Sequence, residues 1–147
     1  LPSVQASEEF EVNASPGKCW EFFSNLSNIG NCIPGCESVH PIDLSSAIFR
    51  VKLKVGYLSK TFELKTKVVE KIEGTKMKFI GEGQDAEVTG SVDLGSFSDK
   101  TKIRYSVEIR PISVTGKTAV AMLGKDLVKR QASEFASCVR SRVESGV

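Results

Sequence analysis

From Phe49 to Ile109 the apolar residues fall on alternate positions. Phe49, Val51, Leu53 and Val55 alternate with Arg50, Lys52 and Lys54, the pattern of a strand with one face in a core and the other in water. The same period returns in Phe62, Leu64, Thr66 and Val68, in Met77 and Phe79, in Ala86, Val88, Gly90, Val92 and Leu94, and in Ile103, Tyr105, Val107 and Ile109. Gly56, Gly74, Gly83 and Ser98-Asp99 separate these runs. Connections so short join only antiparallel neighbours, so residues 38–112 are expected to form one antiparallel meander. Glu9 to Val12 offers a further strand. Between Ser15 and Ile33 the period is helical: Ser15 suits a cap, Pro16 the first helical position, and Cys19, Trp20, Phe23 and Leu26 recur about once per turn. A second short turn around Ile29 and Ile33 is expected to stop at Pro34-Gly35.

The final stretch is helical again. With Leu127 as origin, Val120, Leu123, Gly124, Gln131, Phe135 and Cys138 share a face, and Met122, Lys129 and Ala136 point away. A one-sided sheet must bury its apolar face, and only this helix is long enough to cover it. A twisted sheet curled round a helix with small residues at the contact leaves space, which is a natural ligand cavity. Gly90 and Gly124 are expected at a close approach of sheet and helix, because glycine inside an element costs about 0.5 to 1 kcal/mol relative to alanine. Gln131 is an amide on the apolar stripe, so it needs a partner: backbone, Tyr105, Glu134, a cavity water or a ligand.

Composition narrows the function. The chain has 147 residues, 40% of them hydrophobic, enough for one domain with its own core, placed at residues 8–145 after a short extension at 1–7. Twenty Lys and Arg against 18 Asp and Glu give a net charge of +2, too weak a field for a dedicated nucleic-acid binder. No apolar run approaches the length of a membrane span, and the N-terminus lacks the basic-then-apolar order of a secretory signal, so a soluble cytoplasmic protein is expected. The single His40 excludes sites that need two histidines, and its neighbours offer no nucleophile or orienting carboxylate. Gly81-Glu82-Gly83-Gln84-Asp85-Ala86 imitates a dinucleotide fingerprint between two strands and reads as a hairpin turn. Gly116-Lys117-Thr118 imitates the end of a phosphate loop, but Pro111 stands where its first glycine belongs, and a helix start is the reading. Cys32, Cys36 and His40 are spaced as metal ligands across a Pro-Gly break that misaligns them. Reduced cysteines are the default, with a Cys32–Cys36 disulfide as the alternative. No metal or cofactor is implied. Arg50, Lys52, Lys54, Lys60, Lys65 and Lys67 make one hairpin basic, either as a solvated face or as a docking face for an acidic protein or anionic lipid.

Glu9-Phe10-Glu11-Val12 with Ser15-Pro16, Trp20 and Cys32-Ile33-Pro34-Gly35-Cys36-Glu37 resembles the N-terminal signature of the CoxG family, named for a carbon monoxide dehydrogenase. Leu123-Gly124 with Leu127-Val128, Ala132 and Phe135 resembles its final helix. The resemblance implies the α+β helix-grip fold of the START and polyketide-cyclase superfamily: a curved antiparallel sheet of about seven strands around a long C-terminal helix, with two short helices after the first strand. It also implies assistance to a molybdenum-containing dehydrogenase at the membrane. Three functions compete. The first is non-catalytic binding of an apolar small molecule, such as a lipid or isoprenoid quinone. Its expected lining is Phe49, Leu53, Phe62, Leu64, Phe79, Val88, Gly90, Val92, Tyr105 and Val107 on the sheet and Leu123, Leu127, Gln131 and Phe135 on the helix. The second is a cyclase or hydrolase using Tyr105, Gln131 and Glu134. The third is an adaptor that docks its basic hairpin on a dehydrogenase or a membrane surface.

Overall fold

A computed structural model describes residues 3–146. Seven strands, β1 (Val4–Val12), β2 (Cys36–Asp43), β3 (Ser46–Val55), β4 (Leu58–Ile72), β5 (Lys76–Glu82), β6 (Ala86–Phe97) and β7 (Lys100–Pro111), form one antiparallel sheet in the order β1-β7-β6-β5-β4-β3-β2. From β2 to β7 each strand pairs with the next through a short turn, as the alternation predicts. The first strand crosses to the far edge and pairs with the last. Helices α1 (Pro16–Phe23) and α2 (Leu26–Cys32) make that crossing, and α3 (Val114–Ser145) lies in the concave face. Ser15 caps α1 by accepting a hydrogen bond from the Lys18 N–H, and Asn25 caps α2 through the Ser27 N–H. Irregular pairing at Cys36/Ser38, Pro41/Asp43 and Val68/Glu70 bends the strands into the curl that encloses the helix. Pro41 is tolerated because β2 is an edge strand.

Three sequence expectations are corrected here. Residues 4–7 belong to the sheet, opposite Ile109 to Ser106 on β7, because Val4 and Ala6 continue the inward alternation that Phe10 and Val12 set. Ala136 is buried, since the C-terminal half of α3 packs against β1 as well as α1 and α2, and more than one stripe is covered. The thiols are not all reduced. Cys32 at the end of α2 is bonded to Cys138 on α3, with Cα atoms 5.4 Å apart and a sequence separation of 106. Cys36, the partner considered from sequence, leaves the α2 end on a turn and keeps a free thiol that donates to the Ser38 carbonyl.

The interior is asymmetric along α3. At the C-terminal end Val139, Val143, Phe135 and Ala136 pack against Phe10, Val12, Phe23 and Ile103 in a closed core. Toward its N-terminal end α3 breaks at Gly124, whose φ of 67° and ψ of 164° are non-helical and natural only to glycine. An added Cβ at Gly124 meets nothing within 4 Å. The residue is therefore there for its backbone, and the expected close approach to the sheet is absent. Gly90 is corrected likewise: a Cβ there would make ordinary contacts with the Ser106 carbonyl at 3.8 Å and the Phe79 ring at 3.9 Å, both within the sheet.

Candidate functional site

Between the sheet and the N-terminal two-thirds of α3 lies a cavity of about 150 Å³. Its floor is the inward row of the curled sheet: Val51 and Leu53 from β3, Phe62 and Leu64 from β4, Ala86 and Val88 from β6, and Tyr105, Val107 and Ile109 from β7. Its roof is α3, from Gly116 to Phe135. Ile33 and Pro34 close one side, held there because the Gly35 carbonyl accepts from the Lys52 N–H at 2.8 Å. The walls are almost wholly apolar. The polar side chains that reach the space are Tyr105 and Gln131.

Tyr105 stacks on Phe135, one turn along α3 from Gln131, with ring centroids 4.4 Å apart. Its side chain is half-buried among apolar neighbours, and the loss of solvation pushes its pKa well above the ordinary value for tyrosine. The hydroxyl therefore stays protonated and is a hydrogen-bond donor. Among the described residues no side-chain hydrogen bond reaches the Tyr105 hydroxyl or the Gln131 amide, although neither is sealed off as a buried orphan. Both open onto cavity space. Glu134, weighed with them from sequence, is exposed on the outer side of α3. The arrangement encloses an apolar body and offers one hydroxyl and one amide to a polar group upon it.

Of the lining expected from sequence, the cavity brings together Leu53, Phe62, Leu64, Val88, Tyr105 and Val107, with Leu123, Leu127, Gln131 and Phe135 above them. Phe49, Phe79 and Val92 face the same way but lie in the closed core, where side chains fill the space. Gly90 borders a separate open hollow with Ala6, Lys125 and Lys129. Sequence reasoning missed Ile33 and Pro34, which arrive from outside both the sheet and the long helix. It also missed Ala86, Gly116, Ala119 and Ala132, whose small side chains make room without adding to an apolar stripe.

A wider opening of about 240 Å³ adjoins the cavity between the β3–β4 hairpin and the start of α3, bordered by Leu53, Lys60, Phe62, Thr118, Met122 and Leu123. Asp85, in the β5–β6 turn, fastens its rim. One carboxylate oxygen accepts from the Ser113 hydroxyl at 2.9 Å and the other pairs with the Lys60 ammonium at 3.5 Å. Ser113 in turn caps α3 through the Gly116 N–H. The glycine at 116 is required, because an added Cβ would collide with the Asp85 carbonyl oxygen. Among the described residues no cluster of His, Cys, Asp or Glu is placed to hold a metal ion, and no helix is long and apolar enough to cross a membrane.

The fold recurs in distant solved structures. A START superfamily protein from Mycobacterium smegmatis superposes with a TM-score of 0.70 at 17% identity, over 97% of this chain and 99% of that one. The Zhui aromatase/cyclase from Streptomyces sp. R1128 gives 0.71 at 12% identity, over 97% and 94%. A protein from Thermus thermophilus gives 0.72 at 13% identity, over 99% of each chain. No curated protein sequence matches the chain. The sequence profile of the carbon monoxide dehydrogenase G subunit (CoxG) matches residues 9–144, and with the helix-grip fold around its cavity the chain belongs to that family.

Proposed function

We propose that the protein binds an apolar small molecule bearing one hydrogen-bonding group, held between the sheet and α3. The observation that carries this reading is an apolar cavity whose polar side chains, Tyr105 and Gln131, have no side-chain hydrogen bonds of their own among the described residues. A lipid or an isoprenoid quinone has the required chemistry, an apolar body with a carbonyl or hydroxyl at one end. At about 150 Å³ the cavity alone holds a small ring; a longer molecule extends through the opening beside Met122 and Leu123. Family membership adds a proposed setting, in which the bound molecule serves a molybdenum-containing dehydrogenase as partner.

Organic extraction of the purified protein followed by mass spectrometry tests the reading. An apolar compound recovered in stoichiometric amount, and lost in Val88→Trp, is expected. Recovery of the same compound from a folded Val88→Trp variant places it elsewhere and overturns the site. A second reading, a cyclase or hydrolase acting through the same two polar groups, draws on the fold shared with the Zhui aromatase/cyclase; turnover of a polar substrate that ceases in Tyr105→Phe would favour it.

A further inference from the structure

A second hollow, of about 430 Å³, adjoins the cavity where residues 34–37 run past Lys52 and Lys54. Pro34, Leu53 and Gln131 border both spaces, so the two meet at these side chains. Strand β2 pairs with β3 only as far as Val51. Past that point the edge of β3 is met by the turn 33–36, closed by the Cys36 N–H donating to the Ile33 carbonyl at 3.1 Å. The turn is held differently on its two sides. Toward the sheet, the Gly35 carbonyl accepts from the Lys52 N–H at 2.8 Å. Toward α3 no backbone hydrogen bond reaches residues 33–35 among the described residues, and the tie is covalent: Cys32, just before the turn, is bonded to Cys138. The polar contact between α2 and α3, Arg142 to Asn28 at 3.3 Å, lies further into the packed end. Cys138 follows Phe135, whose ring stacks on Tyr105 in the cavity. The bridge thus joins one wall of the cavity to its roof. Its sulfurs are unequally covered: Cys32 is 3% exposed, whereas Cys138 is half-buried.

We propose that the Cys32–Cys138 bridge is a redox-controlled bolt on the cavity: oxidised, it holds the turn 33–36 beside Gln131 and keeps the ligand space walled; reduced, it frees the turn toward the second hollow and weakens binding. A dithiol reductant supplies the two electrons. One of its thiolates attacks the more accessible Cys138 Sγ, the S–S bond breaks, and Cys32 leaves as a thiolate that takes up a proton. The second thiol of the reductant then closes on the first, releasing Cys138 as a thiol and leaving the reductant as a disulfide. A molecule bound against the loosened wall must order it, and that ordering opposes binding. By linkage the bound molecule protects the bridge from reduction by the same factor. The effect on affinity rests on the ligand reading, whereas the release of the turn does not.

Fluorescence titration with the apolar amine N-phenyl-1-naphthylamine tests the proposal on the oxidised chain and on the chain reduced by dithiothreitol, with thiols counted by alkylation and mass spectrometry and the fold checked by circular dichroism. Reduction should weaken the probe about tenfold, and saturating probe should shift the dithiothreitol equilibrium by the same factor. The double variant Cys32→Ala, Cys138→Ala should bind as the reduced chain does and ignore dithiothreitol, while Cys36→Ser should respond as the native chain does. Leu94→Ala, a cut in the closed core on another strand, should lose stability without weakening the probe. In hydrogen–deuterium exchange the Lys52 amide, whose acceptor is the Gly35 carbonyl, should lose more protection on reduction than the amides of β6. Unchanged affinity in a chain shown to be reduced overturns the proposal. So does a chain that unfolds on reduction, or equal weakening by Leu94→Ala, since either makes the bridge a matter of stability alone. If the probe fails to bind even the oxidised chain, the ligand reading falls, and the Lys52 amide decides the release of the turn by itself: unaltered protection overturns it.

Discussion

Gln131 and Tyr105 show how a single polar atom in an apolar wall separates binding from packing. An amide that served the core alone would be replaced by leucine at a gain in stability, because unpartnered burial costs about 1 to 3 kcal/mol. Gln131→Leu is therefore expected to keep or raise the melting temperature while weakening a polar-headed ligand by about 1 kcal/mol or more; calorimetry of both quantities decides. A loss of stability with full affinity would make Gln131 structural. Tyr105 gives up its proton at higher pH than a surface tyrosine. Its pKa is raised in the folded state by burial, so its contribution is complete below the ordinary tyrosine value of about 10 and is lost as the pH climbs above it. Unfolding midpoints measured across the alkaline range should fall for the native chain and fall less steeply for Tyr105→Phe, which keeps the stacking on Phe135. Both residues were legible in the sequence, one as an amide on an apolar stripe and the other as a phenol on an inward row. What the stripe could not reveal is which inward residues meet empty space: Phe49 and Leu53 sit on the same row of one strand, and only packing decides that Phe49 is core and Leu53 is cavity wall.

Among the elements, α3 departs most from its sequence pattern. A glycine within a helical period marks either close packing or a break, and the two have the same signature until the backbone is seen. The surrounding space settles it at Gly124, where nothing lies near enough for a missing side chain to matter. Holding alanine in that backbone conformation would cost about 1 to 3 kcal/mol. Gly124→Ala is thus expected to lower stability by that amount, or to straighten the helix and carry Leu123 and Val120 off the cavity. Denaturant titration together with ligand affinity distinguishes the two outcomes, and a variant unchanged in both would refute the role given to the kink. The strands were easier to read. Alternation and turn residues mark the hairpins from β3 to β7, whereas β2, with Pro41 and few large apolar residues, carries little signal beyond its place before β3.

On the scale of the whole molecule, the grip of sheet on helix follows from one-sided burial and was readable, but the covalent tie was not. Cysteine spacing favours near neighbours such as Cys32 and Cys36, and only the folded crossing of α1 and α2 carries Cys32 to Cys138. A bridge closing a loop of 106 positions restricts the unfolded chain by about 4 to 5 kcal/mol in the loop-entropy account. Reduction, or Cys138→Ser, should lower the unfolding free energy by that order in a denaturant titration, and an unchanged midpoint under reductant would show that the bridge is not formed in solution. Its position has a kinetic consequence as well. The bridge lies beyond Gly124 on the packed side, while the first ten residues of α3 roof the cavity and are tied at their start through Ser113 and Asp85. The two halves of one helix then belong to different cooperative units: in hydrogen–deuterium exchange the amides of residues 128–143 should approach the protection of global unfolding, while those of residues 117–123 exchange through a smaller, local opening.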